Sequence, residues 1–531
     1  PFAAVIEALP YRKDDVTASY RATYARYAAA GFAVVRLDLR GTGSSTGIAT
    51  DEYPDVERTD LRTVIRWAAS RPWSSGRVGL FGTSYSGFNA LQMAAAIDEL
   101  DVPELGAVVA IYATDDRFTD DVHYAGGVLR AIDLIDYPLY MISMNALPPV
   151  PAVFGDGWRD EWSRRVDATP PWLVEWLEHP TDGPTWRRGS IRLGPDGAGY
   201  ERMACPTMII AGWADGYRNN TFRVVEQYER NGLPWRLLAG PWVHSSPDRA
   251  RPGPNVDDDV EILAFFDEHL RDGPVRSDAP GQVYVRGPVE PEPDLAVHPG
   301  RWVDIDTWPP PGAREVELQP TRSGIDSLAV RGDVGVAAWN SCGGSLPWGQ
   351  PLDQRDDDAR SITHDWTIAE RLDVVGSVRI ALRVRSDQAY GHLALKLCDV
   401  FPGGTSALIT RTMIDLNHVG CWPADPHGVV GRAPGPIRPG SWIDVELDFE
   451  ATTWTLEPGH VLRLSIAGTD WPNAWPPPGP VTLGVDAPSI RLRLPVVDGL
   501  APTAASLVPG AGPSDDDADG AARAAPSTKK Q

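Results

Sequence analysis

The sequence predicts an α/β architecture, in which a mostly parallel sheet wrapped by helices is interrupted by a helical insertion and followed by an all-β sandwich. Three observations predict it. Apolar runs of strand length alternate with helical patterns over residues 1–115 and again over 204–280. A tryptophan-rich, helix-prone stretch separates these two parts, and beyond about residue 280 the apolar period changes to two. The 531 residues suffice for two or three such units.

The first part of the chain, residues 1–115, begins with strand signals. Residues 3–6 and 32–37 are apolar runs of strand length, residues 61–68 carry apolar side chains at helical spacing, and 105–112 is a further apolar strand. Such alternation predicts a mostly parallel sheet. Parallel sheets place their chemistry at the carboxyl ends of their strands, so the loops that follow these strands are the first place to search.

The pattern in the middle of the chain predicts an insertion, followed by further strands of the first sheet. Residues 116–203 show no strand signal and are rich in tryptophan, which predicts a helical cap. Over residues 204–280 the strand pattern resumes, with strands at 206–210 and 235–238 and a helix at 262–270. The sheet is therefore predicted to be built from two segments that the cap separates.

The last third of the chain predicts a sandwich and a tail. Between residues 281 and 497, apolar side chains alternate with polar ones, and turns rich in Gly and Pro separate the runs. Residues 498–531 are rich in Ala, Pro and Asp, which predicts a disordered tail. Within the tail, residues 515–520 imitate the start of a calcium loop, but Pro526 at the twelfth position cannot supply the bidentate Glu that such a loop needs.

Composition argues against several classes of partner. The formal net charge is −23 and no basic stripe occurs, so nucleic acid is not an expected partner. The four cysteines form no Cys-x-x-Cys pair, which predicts reduced thiols rather than zinc or a disulfide framework. No apolar run reaches the roughly 18 residues of a membrane helix. We expect a cytoplasmic protein, with secretion left open because Pro1 lies in what looks like the middle of a domain.

The segment Gly82-Thr83-Ser84-Tyr85-Ser86-Gly87 predicts a nucleophile. It lies between an apolar run of strand length and an uncharged stretch of helix length. A residue at a sharp turn from strand to helix is strained, exposes its side chain above the sheet and needs small neighbours. Strict G-x-S-x-G would place glycine at 86 rather than 87, and a structural turn of small residues is the alternative. Ser84 is the candidate.

Two later residues complete the chain order Ser, Asp, His that is found in sheet-and-helix hydrolases. Asp215 follows the strand at 206–210, and His244 follows the strand at 235–238. A serine hydroxyl needs an imidazole to accept its proton, and the imidazole needs a carboxylate to orient it. Other carboxylates that follow a strand stay open as alternatives: Asp115, Asp116, Asp120 and Asp121.

A second glycine-rich turn, residues 38–47, could be mistaken for a dinucleotide-binding fingerprint. Its spacing is G-x-G-x-x-x-G, and no strong helix opens at Ser44. A structural turn is the favoured interpretation, and no organic cofactor is expected.

Five segments give the chain its resemblance to a known family. The chain resembles the cocaine-esterase-like CocE/NonD serine hydrolases, which are related to X-Pro dipeptidyl-peptidases and α-amino-acid ester hydrolases. The resemblance implies an α/β-hydrolase core with an inserted helical cap and a jelly-roll-like C-terminal sandwich. It also implies that strands before Pro10 are largely missing, so the sheet would lack an edge. The segments are Pro10–Lys13, Asp38–Gly43, Gly82–Gly87, Ala211–Gly216 and Gly240–Ser245.

The resemblance also implies the roles of two tyrosines. In the family the serine turn reads G-x-S-Y-x-G, and a tyrosine hydroxyl after an early strand helps to form the oxyanion hole. These positions correspond to Tyr11, with the backbone N–H of Tyr85 as the second donor. A phenol with a pKa near ~10 stays protonated at neutral pH and can donate to a developing oxyanion. No metal is implied.

The expected function is hydrolysis of a small-molecule ester, amide or short peptide through an acyl-enzyme. An esterase is favoured over an X-Pro dipeptidyl-peptidase, which would need an acidic anchor such as Asp116, Asp120 or Asp121 for the substrate's free amine. A protein that binds carbohydrate or a surface, with a vestigial hydrolase core, is the alternative of another class. The residues expected to line the substrate pocket are Trp213, Trp242, His123 and Asp121.

Overall fold

The computed structural model describes residues 1–531 apart from 18–20, 120, 193–198, 276–278, 338–349, 422–432, 504–506 and 514–531. Asp120, Cys342 and the calcium-like run at 515–520 lie outside the described residues. Within the described ranges, no helix is both long enough and apolar enough to cross a membrane.

The N-terminal part forms the strand and helix alternation that the sequence predicts. The apolar runs become strands, and residues 61–68 lie in the second long helix. The elements are β1 (Phe2–Leu9), α1 (Arg21–Ala29), β2 (Ala33–Asp38), α2 (Asp55–Ala69), β3 (Ser74–Thr83), α3 (Tyr85–Ala94), α4 (Ile97–Leu100) and β4 (Leu105–Ile111).

The cap is mostly helical and packs three of its tryptophans inward, while Trp162 is exposed. Trp172, Trp176 and Trp186 are buried in a small aromatic core with Phe118 and Tyr124. One difference from the prediction is a short hairpin at its start, where we expected no strand. The elements are β5 (Tyr124–Ala125), β6 (Val128–Leu129), α5 (Ala131–Ala146), α6 (Pro151–Phe154), α7 (Trp158–Ala168), α8 (Trp172–Glu178) and α9 (Pro184–Arg187), followed by a 3-10 turn at Tyr200–Arg202.

After the cap the chain completes the first sheet. The elements are β7 (Thr207–Gly212), α10 (Asn220–Asn231), β8 (Trp235–Gly240), α11 (Asp258–Arg271), β9 (Gly281–Arg286) and β10 (Gly300–Ile305). The strand order is β10-β9-β8-β7-β4-β3-β1-β2, and every neighbouring pair is parallel except β9 and β10.

The first sheet continues beyond the predicted boundary at residue 280. β9 pairs with β8 in parallel, and β10 pairs with β9 in antiparallel register, so both belong to the first sheet although they lie in the segment assigned to the sandwich. The local reason is composition: β9 and β10 contain alternating polar residues that resemble the sandwich strands, and only their pairing assigns them to the earlier sheet.

Helices cover both faces of this sheet. Alternate residues of β1 contribute to two cores, Ala4 and Ile6 to one and Ala3 and Val5 to the other. The helices α2, α3 and α10 pack on the first face, and α1 and α11 pack on the second. Strands that are buried on both faces read as continuous apolar runs, which explains the uncharged sequence of β4.

The C-terminal part is an antiparallel sandwich, so the predicted fold class is confirmed. One sheet has the order β18-β15-β21-β14-β19, with β11 and β12 also paired to β21, and the other has the order β13-β20-β16-β17. The inward residues of both sheets share one core. The elements are β11 (Ala313–Leu318), β12 (Ile325–Ala329), α12 (Arg355–Asp358), β13 (Ile362–Thr367), β14 (Leu372–Gly376), β15 (Arg379–Ser386), β16 (His392–Val400), β17 (Ser406–Asp415), β18 (Ile443–Asp448), β19 (Thr452–Leu456), β20 (Val461–Ala467) and β21 (Thr482–Val497).

The predicted disordered tail is wrong for its described part. The backbone N–H of Asp257 donates to the carbonyl of Val508 at 2.9 Å, and the N–H of Gly510 donates to the carbonyl of Asn255 at 3.0 Å. Residues 507–513 therefore return to the loop that precedes α11. A composition rich in Ala and Pro did not show this, because the contacts are backbone hydrogen bonds to a distant loop.

Candidate active site

Ser84 lies on the strained turn between β3 and α3. Its backbone dihedrals are φ 60° and ψ −121°, which a non-glycine residue rarely adopts, and its N–H donates to the carbonyl of Ile111 at 2.8 Å. A Cβ on Gly82 would lie 2.1 Å from Cβ of Ser86, and a Cβ on Gly87 would lie 2.8 Å from the carbonyl oxygen of Gly82. The glycines therefore allow strand and helix to approach while Ser84 remains partly exposed.

His244 and Asp215 are hydrogen-bonded across two neighbouring loops. The distance from Nδ1 of His244 to Oδ2 of Asp215 is 2.6 Å, and the N–H of Tyr217 donates to the other oxygen of Asp215 at 2.6 Å. Asp215 is fully buried, whereas the His244 side chain is partly exposed. Because the carboxylate of Asp215 accepts a hydrogen bond from Nδ1–H of His244, this imidazole tautomer leaves a lone pair on Nε2.

The end of β4 connects these loops to the serine turn. Ile111, whose carbonyl accepts the Ser84 N–H, is followed by Tyr112, whose ring lies 5.5 Å from the His244 ring. The Tyr217 ring lies 5.4 Å from the His244 ring in an edge-to-face arrangement. The imidazole thus packs against two tyrosine rings at the carboxyl edge of the sheet.

Tyr11 follows β1 and faces the same turn. Its ring lies 6.4 Å from Tyr85, edge to face, and 6.2 Å from Tyr140 of the cap. Burial raises the pKa of the Tyr11 phenol, and the nearby hydroxyls of Tyr137 and Ser84 oppose that shift. The phenol therefore remains a proton donor over the neutral range.

Tyr85 presents its backbone rather than its side chain to this edge. Its buried hydroxyl accepts from the N–H of Tyr53 at 2.9 Å and donates to the carboxylate of Glu57 at 3.1 Å. As the first residue of α3, its own N–H has no acceptor within the helix. A free N–H at a helix N-terminus is suited to an anionic oxygen.

The structure contradicts two of the predicted pocket residues. The Trp213 ring is buried against Phe222, and its Nε1 donates to the carbonyl of Tyr284 at 2.8 Å. Trp242 is fully buried on the other face of the sheet, where its Nε1 donates to the carbonyl of Pro254 at 2.9 Å. Both rings are packed in cores, because the residues just after a central strand alternate between the two faces of the sheet.

The other two pocket candidates, His123 and Asp121, are buried together with Glu52. The Tyr217 hydroxyl donates to Oδ1 of Asp121 at 3.2 Å, so this cluster adjoins the loop of Asp215. Burial raises the pKa of Glu52 to about 8 and of Asp121 to about 6, and burial lowers the pKa of His123 to about 4. Glu52 was missed from the sequence, because it is an ordinary acidic residue in a loop before α2.

The competing carboxylates after β4 have cationic partners. Asp115 pairs with Arg223 at 2.5 Å, and Asp116 pairs with Arg192 at 3.4 Å. Neither carboxylate is the one hydrogen-bonded to His244, for which Asp215 supplies the oxygen.

Comparisons with known proteins agree with this architecture. Residues 1–246 match the family model of the X-Pro dipeptidyl-peptidase (S15 family), and residues 282–509 match that of the X-Pro dipeptidyl-peptidase C-terminal non-catalytic domain. The cocaine esterase of Rhodococcus sp. is 25% identical over 531 residues, which cover 89% of this chain and 87% of that protein.

Solved structures show the same fold at low sequence identity. A CocE/NonD family hydrolase from Staphylococcus aureus superposes with a TM-score of 0.68 at 15% identity, covering 93% of this chain and 89% of its own. An aminopeptidase from a marine sediment Thaumarchaeota archaeon gives 0.68 at 18% identity, covering 94% and 92%. The two family matches lie in the same order as the two halves of this fold. They identify the protein as a hydrolase that is similar to the S15 family over residues 1–246 and to that family's C-terminal domain over residues 282–509.

Proposed function

We propose that the protein hydrolyses small-molecule esters through a Ser84, His244 and Asp215 triad and an acyl-enzyme. The observation that carries the proposal is the 2.6 Å hydrogen bond between His244 and Asp215, on the sheet edge where Ser84 occupies a strained turn. The match of residues 1–246 to the S15 family model supports a serine hydrolase independently of this geometry.

The proposed first half-reaction forms the acyl-enzyme. The Oγ of Ser84 attacks the acyl carbonyl carbon while Nε2 of His244 accepts the hydroxyl proton. Asp215 holds the tautomer with the proton on Nδ1 and stabilises the imidazolium that forms. Collapse of the tetrahedral intermediate breaks the bond to the leaving group, which takes the proton from His244. Water then attacks the acyl-enzyme carbonyl while His244 accepts its proton, and His244 returns that proton to Ser84 as the carboxylic acid is released.

The proposed oxyanion hole combines the Tyr11 hydroxyl with the backbone N–H of Tyr85. The position of Tyr11 supports this role, because its ring packs edge to face against Tyr85, the residue that follows the nucleophile. The raised pKa of Tyr11 keeps the phenol protonated, as a donor to an alkoxide requires. One donor of this kind is worth roughly 3 kcal/mol in the transition state.

Ester substrates are favoured over X-Pro peptides by the state of the nearby acids. A dipeptidyl-peptidase needs an accessible carboxylate for the substrate's ammonium group. Asp115 and Asp116 are paired with arginines, and Asp121 is 3% exposed beneath the Tyr217 hydroxyl. These described carboxylates after β4 therefore offer an ammonium ion no free and accessible oxygen.

A fluorophosphonate probe followed by peptide mapping tests the nucleophile. We expect stoichiometric labelling of Ser84, loss of labelling and turnover in Ser84→Ala, and retained labelling in Ser86→Ala. Ser86 is the matched control, because it is a neighbouring serine of the same turn and is buried. Absence of labelling in folded wild-type protein would favour the binding protein with a vestigial core.

A second assay separates ester from peptide hydrolysis. p-Nitrophenyl acyl esters release p-nitrophenol and Gly-Pro-p-nitroanilide releases p-nitroaniline. Both products are coloured, so the kcat/KM values can be compared once each product is quantified with its own absorption coefficient. We expect the esters to be the better substrates. Comparable turnover of the anilide would replace the esterase assignment with an X-Pro dipeptidyl-peptidase while leaving the triad unchanged.

A further inference from the structure

Three buried side chains from separate segments converge beside the proposed triad. Glu52 belongs to the loop before α2, and Asp121 and His123 belong to the segment between β4 and β5. One ligand atom from each lies within 4.8 Å of the others, and the three residues are at most 3% exposed. A carboxylate pair and an imidazole at this spacing form a donor set for a metal ion.

The tautomer of His123 can be assigned from its backbone partner. Nδ1 lies 2.7 Å from the carbonyl oxygen of Arg117, which can only accept, so Nδ1 carries the proton. Nε2 therefore directs a lone pair into the cluster, 3.0 Å from Oε2 of Glu52. Such a backbone contact on the distal nitrogen is how metal-binding histidines are oriented.

Three polar atoms of the cluster make no hydrogen bond to the described residues: Oε2 of Glu52, Oδ2 of Asp121 and Nε2 of His123. The other oxygen of Asp121 is satisfied by the Tyr217 hydroxyl and by the N–H of Val122 at 2.8 Å. A single shared proton would satisfy the pair of Glu52 and His123 but not Asp121. One cation would satisfy all three atoms at once.

The charges around the cluster are compatible with a bound divalent cation. Nη2 of Arg117 lies 3.2 Å from Asp51 and 3.8 Å from Oε2 of Glu52, and its guanidinium also donates to two backbone carbonyls. The guanidinium of Arg117 is thus engaged chiefly by Asp51 and these carbonyls, so the carboxyl groups of Glu52 and Asp121 remain available to a cation. Arg188, the second partner of Asp51, is partly exposed and is screened by solvent.

We propose that Glu52, Asp121 and His123 bind one divalent transition-metal ion, for which Zn²⁺ is the best match to two carboxylate oxygens and one imidazole nitrogen. Bonds of about 2.1 Å place tetrahedral ligand atoms about 3.4 Å apart, so small side-chain rotations bring the three atoms into range. The ion would tie the segment before α2 to the start of the cap. Tyr53, adjacent to Glu52, bonds the Tyr85 hydroxyl, so the same segment supports the serine turn.

Metal binding by the full chain tests the proposal without relying on turnover. Protein freed of metal by chelator dialysis is titrated with ZnCl₂ by calorimetry, and its melting temperature and its visible absorption with CoCl₂ are recorded. We expect about one equivalent of Zn²⁺, a rise in melting temperature of several degrees, and Co²⁺ bands typical of four or five ligands.

Two variants remove ligands, and one serves as the control. His123→Gln and Asp121→Asn should each weaken Zn²⁺ binding ~10-fold or more, whereas His179→Gln should bind as the wild type does. His179 is the matched control, because it is an exposed histidine of the cap. Wild-type protein that binds no Zn²⁺, or no more tightly than His123→Gln, would overturn the proposal and leave a shared proton as the explanation. If both variants fail to fold, a Co²⁺ spectrum of the wild type typical of six water-like ligands would overturn it.

Discussion

At the scale of the residue, Tyr11 illustrates how a surrounding structure adapts one group to one task. Its phenol lies in a cluster with the rings of Tyr85 and Tyr140, and burial raises its pKa. Because the Tyr11 ring is only partly exposed, the structure limits the access of water that would compete for an oxyanion. A hydrogen bond in such surroundings is electrostatically stronger than in water.

Tyr11→Phe tests the residue most directly. The substitution removes only the hydroxyl, so we expect kcat to fall ~100-fold or more with little change in melting temperature. Steady-state kinetics with a p-nitrophenyl ester measures the effect. Tyr140→Phe is the matched control, since it removes a hydroxyl from the neighbouring, more exposed ring. An unaltered kcat in Tyr11→Phe would remove this residue from the oxyanion hole.

At the scale of the element, the turn from β3 to α3 depends on two glycines. A Cβ at position 87 would approach the Gly82 carbonyl oxygen to 2.8 Å, Cβ of Ala113 to 3.0 Å and the Ile111 nitrogen to 3.1 Å. These are mostly backbone atoms, which cannot rotate away. The closeness of strand and helix is thus what holds Ser84 in its strained conformation.

Gly87→Ala should therefore displace the turn. We expect a loss of roughly 1–3 kcal/mol in the free energy of unfolding and a fall in kcat of about 10-fold or more. Urea denaturation and ester kinetics measure the two effects. Gly332→Ala is the control, because its new Cβ meets nothing within 4 Å. Equal behaviour of the two variants would show that the approach at Gly87 does not position Ser84.

At the scale of the whole molecule, the sandwich supports the loop of Asp215. The guanidinium of Arg218 donates to the carbonyls of Trp213 and Asp215 at 2.8 and 3.1 Å, and its other nitrogen bonds Glu450 of the sandwich. Although burial acts to raise the pKa of Glu450, Arg218 and Arg411 hold it below the ordinary value. The carboxylate is thus a charged anchor between the two halves.

Glu450→Gln should lower both the stability of the protein and its catalytic rate. Removing one member of a buried pair costs roughly 3–5 kcal/mol because the other charge is left uncompensated. We expect a lower free energy of unfolding, and a lower kcat because the Asp215 loop loses its support. The exposed Glu446→Gln on β18 is the control. A kcat equal to that of the wild type would show that the contact of Glu450 with Arg218 does not support catalysis.

The same interface contains a pH-sensitive histidine. His298 lies beside Trp454 of the sandwich, and burial and the nearby Arg286 lower its pKa to about 3. The unfolded chain binds a proton at this residue below about pH 6.5, whereas the folded protein does not. Its contribution to stability is therefore complete above pH 6.5 and declines as the pH falls toward 3.

Comparison of wild-type protein with His298→Gln isolates this effect. When the pH is lowered from 7.5 to 5, the free energy of unfolding of the wild type should fall by about 2 kcal/mol more than that of His298→Gln. Chemical denaturation at the two pH values measures it, and the exposed His179→Gln should show no such shift. A difference that does not change with pH would mean that His298 titrates normally in the folded protein.

By itself, the sequence determined the order of the elements and the loops in which Ser84, Asp215 and His244 lie, because apolar periodicity and turn residues are local signals. Only the tertiary structure decided which sheet contains β9 and β10, since that depends on pairing with β8. Only the tertiary structure, likewise, buried the rings of Trp213 and Trp242 in cores.

The cluster of Glu52, Asp121 and His123 shows the same division. Each residue is unremarkable in the sequence, and their approach is decided by how the loop before α2 meets the segment after β4. Residues 507–513 likewise bond a loop that is distant in the chain. Local patterns report which face of an element is apolar. Contacts between distant segments depend on packing and on the burial of charge, which no single stretch of sequence encodes.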